Sequence, residues 1–225
     1  MKYTKTALTT ILGLGLAATG LSIASASPDT SSDRADRSAA SDLYTAGKDD
    51  RFDTDAFIKT VLKSALEKKE NAKDTKSAGA VTVTYSAKNA PHFRAQIKRS
   101  ASIWNAAVDN VKLREGGNPD FTYREGNDDR GSWARPEGNG KGLVFLDFKQ
   151  NREFDSTRVA AHETGHILGL PDNRTGQCSD LMSGGSAPAS CKNAKPSSEE
   201  AREVDQQWAQ GLEAVNRQLA ADNRR

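Results

Sequence analysis

Apolar and polar positions alternate with two different periods along this chain, and the places where the period changes mark its elements. Lys2 and Lys5 precede an apolar run from Ala7 to Ala24, which closes on the small residues Ala24-Ser25-Ala26. That layout predicts a cleavable secretory signal over residues 1–26; glycines interrupt the run and no basic cluster follows it, which argues against an anchor. From Ser27 to about Asp50 the chain is Ser, Ala and Asp with few large apolar groups, too little to offset the entropy of ordering. Phe57, Val61, Leu62, Ala65 and Leu66 then recur at helical spacing. A helix of that length is marginal in water by itself, so it needs the following domain to pack against. After a lysine-rich stretch the period becomes two at Val81, where Val81, Val83 and Tyr85 alternate with threonines as in a half-buried strand.

Past Pro91, residues Phe93, Ile97, Ala101, Trp104, Val108 and Val111 follow at steps of three and four, the strongest amphipathic stripe in the chain. Gly116 to Pro119 is a turn, Phe121 and Tyr123 mark a short strand, Gly138 to Gly140 is a second turn, and Leu143 to Leu146 reads as a buried strand. Ser197 and Glu200 form a capping box ahead of the stripe Val204, Trp208, Leu212, Val215 and Leu219. Gly211 weakens that helix by about 1 kcal/mol relative to alanine, so the residues after it are expected to fray. The order of elements predicts an α/β (α+β) domain with a twisted sheet, a long packing helix, a second helix and a C-terminal helix.

The formal charge is only +2, from 32 basic and 30 acidic side chains. These are interspersed, with no basic stripe of the kind nucleic acid requires, and past residue 26 no segment is apolar enough to span a bilayer. Cys178 and Cys191 are the only cysteines. In a secreted chain such a pair is expected as a disulfide; a pair of zinc-binding thiolates is the competing use and suits an oxidising compartment poorly.

The chemistry concentrates in His162-Glu163-Thr164-Gly165-His166-Ile167-Leu168-Gly169-Leu170-Pro171-Asp172. Histidines four apart share a helix face, so His162 and His166 can offer two imidazole nitrogens to one tetrahedral metal, with Glu163 beside them as a base. Catalytic zinc takes three protein ligands and keeps one position for water. Gly169 can end the helix in a left-handed conformation, and Pro171 disfavours helix at Leu170, so the chain should turn and bring Asp172 to the metal. A purely structural helix with two histidines on one face is the plainer alternative. His92, at the start of the long helix, is expected to be a solvated surface histidine.

The pattern H-E-x-x-H-x-x-G-x-x-D resembles the metzincin-like zinc endopeptidases, with aspartate where most carry a third histidine, and most closely the snapalysin family of small neutral proteases. The resemblance runs over about residues 80 to 211, through Val81 to Tyr85, Ile103-Trp104-Asn105, Glu125 to Asp128, Asp155 to Val159 and Leu181 to Gly185. It implies a Met-turn in which Met182 floors the metal site; calcium at Asp155 and Thr157, where a helix N-cap at Asp155 or Ser156 is the plainer alternative; and a propeptide over residues 27–80, the alternative being an N-terminal arm that is never removed, ahead of a protease domain at 81–211, with 212–225 as a helical extension. It also implies protein or peptide substrates. One departure stands out: the family carries a tyrosine shortly after its third ligand, whereas this chain has Asn173-Arg174, so the oxyanion donor is expected to be Arg174 or a tyrosine from elsewhere, with the efficiency of catalysis at stake.

The combined expectation is a secreted, monomeric zinc endopeptidase with no nucleic-acid or membrane partner. Its zinc would be held by His162, His166 and Asp172, with Glu163 as general base. The competing readings are a catalytically weak secreted zinc-binding interaction module and a zinc amidase acting on cell-wall peptides.

Overall fold

The computed structural model describes residues 54–71, 79–138, 140–222 and 224. The expected signal over 1–26 and the stretch from 27 to 53 therefore lie outside the described residues. Helix α1 (Thr54–Asn71) is followed by β1 (Val81–Asn89), α2 (Arg94–Ala107), β2 (Val111–Glu115), β3 (Phe121–Gly126), β4 (Trp133–Gly138) and β5 (Lys141–Asp147). After the single turn α3 (Gln150–Glu153) come α4 (Ser156–Leu168), a 3-10 segment (Leu181–Ser186) and the long α5 (Ser198–Asp222).

The strands form one mixed sheet in the order β2-β1-β3-β5-β4. Its first four members are parallel, and β4 runs antiparallel to β5. Parallel strands are covered on both faces and read as continuous apolar runs, as Leu143 to Leu146 does. The edge strand β4 was not legible in the sequence: Pro136 removes a ladder donor, which an edge tolerates, and the hairpin to β5 passes through Gly140 at φ +68°. Helix α4 packs against α2 and against β4 and β5, with Trp104 Nε1 donating to Ala161 O at 2.9 Å.

The amphipathic stripe after Pro91 overran its helix. Phe93 is the N-cap, and α2 ends at Ala107; Val111 belongs to β2, paired with Val81. The chain turns because the Asp205 carboxylate accepts from Asp109 N and Asn110 N, while Asn105 exchanges two hydrogen bonds with Leu113 and holds β2 beside the helix. The step from Val108 to Val111 is three residues in either conformation, so periodicity could not separate them.

Helix α1 buries Phe57, Ile58, Val61 and Leu62, and it packs against α5, with further contacts on α4 and β1. Past Gly211 the helix does not stop: α5 continues to Asp222 with Val215 buried. A methyl at Gly211 would come within 2.9 Å of both Ile58 Cγ2 and Leu62 Cδ1, so the glycine admits α1 to close contact. The resulting helix pair outweighs the glycine's propensity cost.

Candidate metal centre

Helix α4 begins where Asp155 Oδ1 accepts Arg158 N at 2.9 Å, an N-cap of the expected kind. It ends at Gly169, φ 117°, where the Gly169 and Leu170 amides return to His166 O and Gly165 O. From Arg158 to Leu168 every residue is buried, including His162, Glu163, Thr164 and His166. Burying four polar residues within five positions costs free energy unless each has a partner or a task. Thr164 has partners: its hydroxyl bonds Ala160 O, Tyr123 OH and Ser100 Oγ.

The two imidazoles converge. His162 Nδ1 donates to Leu181 O at 3.0 Å and His166 Nδ1 to Leu170 O at 2.8 Å. Since a carbonyl can only accept, each ring is the Nδ1–H tautomer when neutral and turns its Nε2 lone pair inward. The Nε2 atoms are 3.1 Å apart, and Asp172 Oδ1 lies 3.2 Å from one and 3.6 Å from the other. Donors around tetrahedral zinc at ~2.0–2.1 Å would sit about 3.3 Å from one another. Among the described residues this is the one cluster of three or more His, Cys, Asp or Glu donors close enough to hold a metal, with its donor atoms within 4.8 Å. Asp172 Oδ1 and Glu163 Oε2 are buried and make no hydrogen bond, as ligand and base atoms facing a cation and its water would be.

Without a metal the charges at the centre perturb one another. Burial pushes Glu163 up from 4.5 to about 8, the negative Asp172 adding to the effect and His162 opposing it. Burial, reinforced by His162, pushes His166 down to about 4. Burial also works against a charged His162, but the Asp172 oxygen facing its Nε2 and the negative charges of Glu163 and Asp172 outweigh it and raise this imidazole. Asp172 is drawn down by the two histidines and Arg174 despite its burial.

The profile of the Streptomyces extracellular neutral proteinase (M7) family matches residues 80–211. The chain belongs to this family. An extracellular small neutral protease of Streptomyces lividans is 48% identical over 96% of this chain and 95% of its own length. One from Streptomyces coelicolor is 57% identical over 71% and 73%, and one from Streptomyces caespitosus is 56% identical over 58% of this chain and 99% of its own length. A solved structure, that of myroilysin, aligns at TM-score 0.38 and 12% identity over 60% of this chain and 87% of that one. As a member of the M7 family the chain is a metalloendopeptidase, and the cluster on α4 is the candidate for its metal.

Around the cluster, the family member's supporting contacts come from three places. Met182 is buried against α4, where a methyl at Gly165 would meet its Sδ at 2.5 Å. Its carbonyl accepts Asn173 N at 2.9 Å and so holds the residue next to Asp172. Cys178 and Cys191 form the expected disulfide. Arg158, which the sequence did not single out, reaches the same loop from α4, donating to Cys178 O, Asn193 O and Asp180 O.

Other expected residues stand apart. Arg174, at φ 49°, places Nη2 3.8 Å from Asp172 Oδ2. Asp155 and Thr157 lie at the opposite end of α4 from the imidazoles, where Asp155 acts as a cap and joins no metal-holding cluster among the described residues. His92 is exposed, as expected, yet not without a partner: its Nδ1 and its backbone amide both meet the Glu125 carboxylate, and its ring stands edge-on to Phe148. Glu125 lies thirty-three residues away, beyond the reach of a local reading.

Proposed function

We propose that the metal is zinc, held by His162 Nε2, His166 Nε2 and an Asp172 oxygen, and that Glu163 is the general base of peptide-bond hydrolysis. The observation that carries this is the convergence of three buried donor atoms, with an unpartnered Glu163 carboxylate oxygen on the same helix. Bound there, zinc would lower the pKa of water toward ~7 and polarise the scissile carbonyl. Glu163 takes the proton of the attacking water and returns it to the departing amine. The Leu181 and Leu170 carbonyls keep both imidazoles in the ligating tautomer. Arg174, beside Asp172, is the proposed oxyanion donor in place of the tyrosine the resemblance led one to expect.

In this reading the chain is secreted, as the names of its extracellular relatives suggest, and residues 1–26, 27–80, 81–211 and 212–225 are signal, propeptide, catalytic domain and extension. Among the described residues no helix is long and apolar enough to cross a membrane. Family membership sets aside the interaction-module reading. Calcium at Asp155 and Thr157 rests on the resemblance alone and would appear as calcium-dependent thermal stability.

The test is Glu163→Gln assayed beside wild type on an unfolded protein substrate, with zinc measured in both. The variant should keep stoichiometric zinc and lose on the order of 100- to 10,000-fold in kcat. Near-normal turnover would remove Glu163 from the mechanism. Zinc-free wild-type protein with full activity would remove the metal.

A further inference from the structure

We propose that Glu200, in the first turn of α5, is a positioning residue for the metal centre: its carboxylate holds the Leu181–Ser183 turn, and through it the ligands His162 and Asp172. The inference rests on the zinc reading above. Glu200 is buried, and its carboxylate collects four donors. Oε2 accepts Ser197 N at 2.6 Å and Leu181 N at 3.1 Å, and Oε1 accepts Met182 N at 2.7 Å and Asn173 Nδ2 at 3.4 Å. A capping box needs only the first of these, with the Ser197 Oγ contact to Glu200 N as its reciprocal. The other three leave the helix: two bind the turn under the imidazoles, at Leu181 and Met182, and one the Asn173 side chain.

Two ligands hang from that segment. The Leu181 peptide, whose N–H is fixed by Glu200, presents its carbonyl to His162 Nδ1. The Met182 peptide, likewise fixed, presents its carbonyl to Asn173 N, one residue from Asp172. His166 is held by Leu170 O at the end of its own helix, with no route through Glu200. A carboxylate offers two oxygens that only accept; an amide offers one, and its NH2 would face a backbone N–H. Glutamine at 200 is therefore close to isosteric but leaves at least one turn amide opposed by a donor, Leu181 N or Met182 N, which loosens at least one of the two ligand positions hung from the turn.

The experiment compares Glu200→Gln with Ser197→Ala, which removes the reciprocal half of the cap and leaves the turn contacts intact. Zinc affinity is read by competition with a chromogenic chelator, folding by far-UV circular dichroism, and the His162 and His166 Nδ1–H protons and the Asn173 amide by NMR in the metal-free protein. Glu200→Gln should keep the helical signal, bind zinc ten- to a hundredfold more weakly, and shift or broaden the His162 proton when its NH2 faces Leu181 N or the Asn173 amide when it faces Met182 N, sparing the His166 proton in both. Ser197→Ala should change zinc affinity no more than about twofold on the same argument, since the outer-shell contacts survive. Equal weakening in both variants would reduce Glu200 to a helix cap and overturn the proposal, as would wild-type affinity in Glu200→Gln. Wild-type protein that takes up no zinc would overturn the metal reading, and this inference with it. If Glu200→Gln does not fold, Glu200→Asp is read the same way: it keeps the charge and falls one methylene short of the turn.

Discussion

At the scale of single residues, the centre gathers buried ionisable groups, two of whose oxygens lack a hydrogen-bond partner, a cost that a cation among them would offset. Glu163 shows this best. In metal-free protein its pKa of about 8 lies above the 4.5 of an ordinary glutamate, so between those values the folded state binds more protons than the unfolded one. Stability linked to Glu163 must then fall as pH rises from about 4.5 to about 8, and level off above. Thermal melts of the chelator-treated protein across that range should show a steeper decline for wild type than for Glu163→Gln, whose amide does not titrate. Parallel curves would mean that Glu163 is solvated in solution. Gly165 carries a second residue-scale prediction. A methyl there meets Met182 Sδ at 2.5 Å and Trp104 Cζ2 at 3.2 Å, so Gly165→Ala must displace the side chain that floors the site. Overpacking of this kind costs roughly 1–3 kcal/mol, less the helical gain of alanine over glycine of roughly 1 kcal/mol. The variant should melt lower than wild type and bind zinc more weakly, and an unchanged melting point would show that Met182 can step aside.

At the scale of elements, legibility in the sequence followed the range of the deciding interaction. Helix α4 was readable from Asp155 to Gly169 because its cap, its histidine spacing and its terminating glycine all act within a few residues. The end of α2 was not, because it is set by Asp205 on α5, about a hundred positions away. Half of what Glu200 does was readable, since Ser197 lies three residues off and the Leu181–Met182 amides do not. Arg158 belongs to the same class: it joins the helix carrying the ligands to the loop closed by Cys178 and Cys191. That loop is accordingly held twice, by the disulfide and by the guanidinium. Closing it contributes about 3 kcal/mol in the chain-entropy model, and α2 and the sheet lie outside it. The Cys178→Ser/Cys191→Ser variant should therefore keep its far-UV spectrum at room temperature while activity falls; displacing catalytic groups by about 1 Å can cost on the order of a hundredfold in rate. Collapse of the spectrum would show that the bridge supports the whole fold.

At the scale of the whole molecule, the match to the family profile stops at residue 211 and begins at residue 80, and the helical pieces on either side of it pack on each other. Helix α1 lies before that span and the last eleven residues of α5 after it, and Gly211 sits where Ile58 and Leu62 come closest. Fully burying an apolar side chain stabilises by about 1.5–3 kcal/mol, and α1 buries Phe57, Ile58, Val61 and Leu62 at once. Part of that gain offsets the ordering of a helix that is marginal alone. The dependence runs both ways, because the two helices pack on each other around Gly211, where Ile58 and Leu62 approach α5. The part of α5 that is tied to the metal centre lies earlier: Trp208 Nε1 donates to Leu168 O at 3.1 Å, and Glu200 precedes it. Protein beginning at Ala80 should therefore keep the residues up to about 211 ordered and lose protection beyond them. Amide hydrogen exchange, compared between the longer chain and the shorter one, should show fast exchange confined to residues 212–222 in the shorter protein and slow exchange on α4 in both. Equal protection of residues 212–222 in the two proteins would mean that α5 holds its full length without α1. Loss of protection on α4 as well would mean that α1 supports the catalytic helix itself, and that its removal should then cost activity.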